Sequence, residues 1–125
     1  MSVRVEWLDT QQDILHFIFE GKWNWDEFYQ TRDVSRTMIR EVTHSVYVVL
    51  DFSDANVQLP KNLISNFRRL AENRLSNTEQ FYIISRRSTL AKTLINVVGR
   101  ISQGKIPVVF VESMDNVKQL VRPAR

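Results

Sequence analysis

Residues 46–52, VYVVLDF, form an apolar run interrupted only by Asp51 near its end and are rich in β-branched and aromatic side chains. A run of that length and composition predicts a strand, and its lack of alternation predicts one covered on both faces. Two further runs of the same kind follow, FYII at 81–84 and IPVVFV at 106–111. Strands buried on both sides need helices on the sheet, and the stretches between them supply helical periodicity.

The best-signed boundary lies at Asn24, a good helix N-cap with Glu27 three residues on, the spacing of a capping box. Trp23 and Phe28 have the spacing of a hydrophobic staple across that cap. Trp25, Phe28, Tyr29, Met38, Ile39 and Val42 continue the helical spacing, which predicts a helix over 25–42. Pro60 suits a first helical position, and Leu63, Ile64, Phe67, Leu70, Ala71 and Leu75 form one apolar stripe, so a second helix is expected over 60–75. Ser88 caps a third, which carries Leu90, Leu94, Ile95, Val98 and Ile101 and ends at Gly104. Ser113 caps a last one that stops at Pro123. Before all of these, residues 3–8 and 13–20 alternate as a hairpin, with Leu15, Phe17 and Phe19 on one face. The order β-β-α-β-α-β-α-β-α predicts one α/β domain over 1–125. Its sheet is expected to be mostly parallel, with about five strands, four helices and an antiparallel N-terminal edge.

Cysteine is absent, which excludes disulfides, thiolate zinc sites and cysteine nucleophiles. No apolar run approaches the roughly 20 residues of a membrane span, and MSVRVEWLDTQQ lacks the pattern of a signal peptide. A cytoplasmic protein without a membrane span is expected. Net charge is +3 but unevenly placed: residues 1–60 hold ten acids and five bases, residues 61–125 four and twelve. The bases are scattered, and the doublets Arg68-Arg69 and Arg86-Arg87 are not interleaved with aromatics, so no nucleic-acid partner is expected.

Catalytic patterns are sparse. Gly21, Gly99 and Gly104 are isolated and match neither a dinucleotide fingerprint nor a P-loop. His16 lies mid-strand and His44 in a turn, and neither has an orienting partner at a telling spacing or the third ligand that a metal would need. Asp51 and Asp54 end a strand where phosphotransfer receivers place an aspartate, yet the acidic pair and the lysine of that machinery are missing. Asp54 and Asn56 also suit turn hydrogen bonds, and the Trp23, Trp25, Phe28 and Tyr29 group suits core and cap packing as well as an aromatic cage. In parallel sheets ligands gather beyond the carboxyl ends of the strands. That edge collects Ser53, Asp54, Asn56 and Lys61 in one loop and Arg86 and Arg87 in the next, which makes these six the candidate partner- or ligand-binding residues.

The element order, with VVLDFSDANVQLPKNLISNF (48–67) and IPVVFVESMDNVKQLV (106–121), resembles the STAS family of anti-sigma factor antagonists. FEGKWNWDEFY (19–29) looks like its divergent SpoIIAA-like branch. Asp51-Phe52-Ser53 is similar to the D-L-S-like tripeptide that closes the family's buried strand. The resemblance implies a SpoIIAA-like fold and a non-enzymatic regulatory module that binds a protein partner and needs no cofactor. Where phosphorylated members carry serine at the helix start, this chain has Lys61, so the serine phospho-switch is not implied. A second expectation is a small-molecule domain, for a lipid or nucleotide, which requires a pocket between helices and sheet. An exposed edge strand or an apolar helix face could support a homodimer.

Overall fold

A computed structural model describes residues 2–86, 88–102 and 108–121. The chain begins as an antiparallel pair, β1 (Val3–Trp7) against β2 (Ile14–Phe19), with Val3 opposite Phe19 and Trp7 opposite Leu15. Parallel pairings then carry the sheet through β3 (Val46–Asp51), β4 (Thr78–Ile84) and β5 (Val108–Val111). The spatial order is β1-β2-β3-β4-β5, the same as the order in sequence. The sheet is therefore mixed rather than mostly parallel, because the N-terminal hairpin is an integral part of it. It belongs to a single α/β domain with five strands and four helices.

Sequential order has a consequence for the layers. Crossovers between parallel neighbours share one hand, so successive helices fall on the same face unless the strand order reverses. Here it does not reverse. Helices α1 (Trp25–Arg40), α2 (Leu63–Glu72) and α3 (Ser88–Ser102) all pack on the face formed by Val3, Leu15, Phe17, Phe19, Val48, Leu50 and Ile83. Among the described residues the opposite face has only the short α4 (Met114–Leu120), whose end packs Val117 and Val121 on Ile14, Val49, Tyr82 and Ile84.

Helix α1 starts as its cap predicts. Asn24 is extended, and its side-chain oxygen accepts the Glu27 amide at 2.8 Å. The reciprocal half of the capping box is replaced: the Glu27 carboxylate accepts from the amide of Ser2, tying the helix to the start of β1. The staple forms, with the Trp23 and Phe28 rings 6.2 Å apart. The buried side of α1 is Phe28, Thr31, Ser35 and Ile39, so two small hydroxyl residues occupy core-facing positions.

Helix α2 is shorter than expected. Asn62 adopts a left-handed conformation, φ 66°, which breaks the backbone after Pro60 and delays the helix to Leu63. Leu75 lies beyond its end. Ser113 caps α4 by accepting from the Asn116 amide. The expected stops at Gly104 and Pro123 and the first two residues of the 106–111 strand lie outside the described residues. No helix among the described residues is long and apolar enough to cross a membrane.

Candidate functional site

The loop after β3 is built rather than open. Gly21, at φ +58°, donates its amide to Asp54 Oδ2 at 2.9 Å, and its carbonyl accepts from the Gln58 amide at 2.8 Å. A left-handed backbone here favours glycine, and both polar groups of that peptide unit are used by the 54–58 loop. Asp54 thus acts as a strut between two loops. At the far end of the loop the Trp25 indole N–H donates to the Lys61 carbonyl at 2.6 Å, which leaves the lysine side chain exposed. Asn56 and Arg86 are exposed as well, and Arg87 lies outside the described residues.

Ser53 belongs to a small polar cluster that the sequence did not announce. His16 Nε2 lies 2.8 Å from Asp51 Oδ2, on the sheet face away from α1–α3. The Ser53 amide donates to Asp51 Oδ1 at 2.9 Å. Burial pushes the Asp51 carboxyl up. The hydrogen bonds from His16 and from the hydroxyl and amide of Ser53, with the His16 charge, outweigh that and hold it below its ordinary value of 3.8. Serine, histidine and aspartate meet here in the wrong order for nucleophilic catalysis. The carboxylate is central and takes both donors, so the imidazole is not positioned to receive the serine proton.

A group depressed in the folded state stabilises the fold above its unfolded pKa, and that contribution disappears as pH falls through the folded pKa. Asp51 should therefore stabilise the domain at neutral pH and cease to do so in the acid range below about 4. Asp51→Asn is expected to lower the urea midpoint at pH 7 and to bring wild type and variant together as pH falls through the lowered folded pKa of Asp51. A gap of constant size across that range would mean that Asp51 ionisation contributes nothing.

The aromatic group around Trp23 is closed. Trp23 is buried, its ring is 4.7 Å from Phe19, and Trp25 stands edge-on to Trp23, Phe28 and Phe67. These rings fill the corner between α1, α2 and the sheet, with no room for a cage. Among the described residues no three His, Asp or Glu side chains gather as a metal would require.

Empty space lies elsewhere. A crevice at the carboxyl edge of a parallel sheet arises where strand order reverses, and β2 to β5 advance in one direction. Three helices side by side on one face instead leave a cleft between α1 and α2, above β3 and β4. It encloses about 60 Å³, with a floor of Phe17, Val48, Leu50 and Phe81. Ser35 sits on its α1 wall, buried, its hydroxyl turned back to the Arg32 carbonyl at 2.6 Å. The mouth is basic: Arg32, Arg36 and Arg74 all line it. Arg32 and Arg36 point to one acceptor, the Asn73 carbonyl at the C-terminal end of α2, at 3.4 and 2.5 Å. Arg74 donates to the Ala71 carbonyl at 3.0 Å. Among the described residues no carboxylate is ion-paired with any of the three. Burial, then the neighbouring Arg36 charge, press the Arg32 guanidinium below its ordinary value, with Arg69 adding to the push and Tyr29 and Asp33 opposing it. An anion placed at this mouth would relieve that repulsion.

Comparison with known proteins yields no match, whether to a family model, to a curated sequence or to a solved structure.

Proposed function

We propose that this chain is a non-enzymatic binding module of SpoIIAA-like, STAS-type architecture that holds a small organic anion in the cleft between α1 and α2. One observation carries the reading: three arginines, none of them ion-paired to a carboxylate among the described residues, line the mouth of an apolar cleft. Each half of that arrangement favours the same ligand. Clustered guanidinium charges, two of them half-buried, repel one another until an anion offsets them, and apolar walls reward an apolar body. A regulatory role follows naturally, because the bound molecule would bridge α1 and α2, and the Asp54 strut keeps the nearby loop fixed.

The test is thermal denaturation with benzoate, octanoate and octyl phosphate. A ligand that binds only the folded state raises the midpoint, by about 2.7 kcal/mol at a hundredfold excess over Kd. We expect a rise in the wild type and none in Arg32→Gln/Arg36→Gln, which keeps a donor for the Asn73 carbonyl but removes both charges. No change with any of the three anions would overturn the reading.

A second reading, a protein-interaction surface on the 53–62 loop, is supported by the exposure of Asn56, Lys61 and Arg86 on a pinned backbone. It requires Lys61→Glu/Arg86→Glu to lose a partner that the wild type retains from its native lysate, with the thermal midpoint unchanged.

A further inference from the structure

The cleft does not end at its floor. A second cavity of about 40 Å³ lies beneath α2, bounded by Ala71 on that helix, Val98 and Ile101 on α3, and Ile83 and Val108 on the sheet. Leu50, Leu70 and Phe81 line both spaces, so the two cavities adjoin at these side chains. Of these, Leu70 is half-buried on α2 and lies at the boundary a tail would have to pass. Among the described residues the inner cavity is lined by apolar side chains alone, whereas the outer one is basic at its mouth. Charge at one end and hydrocarbon at the other, in line under one helix, describe the shape of an amphiphile.

Helix α2 is suited to lie over such a guest. It buries only Phe67 and Ala71 fully. Its N-terminus has no side-chain cap and no acidic residue in the first turn. Its C-terminal carbonyls are held by the arginines of the mouth itself. A ligand that engages those arginines therefore acts directly on the attachment of the helix above it.

On the reading that the cleft binds an anion, we infer that its ligand is a single linear alkyl chain ending in an oxyanion. The head sits at Arg32, Arg36 and Arg74, and the tail runs beneath α2 into the inner cavity. An apolar cavity of about 150 Å³ holds a six-carbon ring, so cavities of about 60 and 40 Å³ together accommodate a tail of roughly four carbons.

The experiment is calorimetric titration of the whole chain with n-alkyl carboxylates from acetate to dodecanoate, below their micellar concentrations, beside the matching alkyl phosphates and inorganic phosphate. Affinity is expected to rise about fourfold per methylene, from the transfer free energy of a buried CH₂, and to level off once the tail exceeds roughly four carbons. Inorganic phosphate should bind at least a hundredfold more weakly than octyl phosphate. Ala71→Leu, which intrudes on the inner cavity alone, should move the plateau to shorter chains without weakening acetate. Val98→Leu does the same from the opposite wall, should the first variant not fold. Equal affinity for short and long chains would overturn the tail while leaving the anion site standing. An unmoved plateau in both variants would overturn the route beneath α2. Binding of no member of either series would overturn the anion site as well. The tighter of the two series identifies the head group.

Discussion

Phe52→Ala should remove about 3–5 kcal/mol of folding free energy, a large share of the 5–15 kcal/mol that such a domain possesses. Phe52 is 1% exposed and sits one residue past β3, where its amide donates to the Ile84 carbonyl at 2.9 Å. Its ring stacks on Phe19 with centroids 4.4 Å apart, and Trp23 is 6.3 Å away. Deleting it leaves a void enclosed by aromatic rings, which relax poorly because each is wedged against others. The expected fall in thermal midpoint is about 10–25 °C, scaling from a few degrees per kcal/mol. Val34→Ala is the control: Val34 is 56% exposed, and its truncation should alter stability by no more than about 0.5 kcal/mol. A Phe52→Ala midpoint within a few degrees of wild type would mean that this corner is not a packed core.

That corner was readable in the sequence. Asn24, Trp23 and Phe28 announce a capped and stapled helix, and Leu15, Phe17 and Phe19 alternate as a strand facing it. Local signals of this sort need no partner from elsewhere in the chain. Helix α2 was less readable, because Pro60 is a sound start signal and only the left-handed backbone of Asn62 displaces it. The contact between His16 and Asp51 spans 35 residues and depends on the register of β2 against β3. Register follows from the whole buried face, so no local spacing could reveal the pair.

The candidate site illustrates a different gap. The carboxyl edge drew attention because helix N-termini and polar loops converge there, but that reasoning presumes a reversal in strand order. Without one, Asp54 becomes a strut and the unfilled volume moves between the helices. The signal for the cleft was present in the 25–42 helix, where the apolar stripe skips from Tyr29 to Met38. Thr31 and Ser35 occupy the gap and look solvent-facing by polarity, while Arg32 and Arg36 look like an ordinary hydrated pair. Only burial distinguishes a small polar residue that faces water from one that holds a space open.

Ser35→Leu turns that distinction into a measurement. Ser35 is 3% exposed, and its hydroxyl satisfies nothing beyond its own helix, since it donates to the Arg32 carbonyl. Leucine at this position points into the cleft between Phe28 and Ile39 and replaces a weak helix former by a strong one. Overpacking a filled core costs about 1–3 kcal/mol, but here the added carbons enter an existing void and bury apolar surface worth about 1.5–3 kcal/mol. The thermal midpoint should therefore hold or rise, while affinity for octanoate falls at least a hundredfold. Ser35→Ala removes the same hydroxyl and leaves the space, so it should bind as the wild type does. The pair separates volume from polarity: loss of binding in both variants would assign the effect to the hydroxyl, and retention in both would place the ligand outside the cleft. Loss in leucine alone, with stability preserved, requires that the space which Ser35 keeps open is the space the ligand fills.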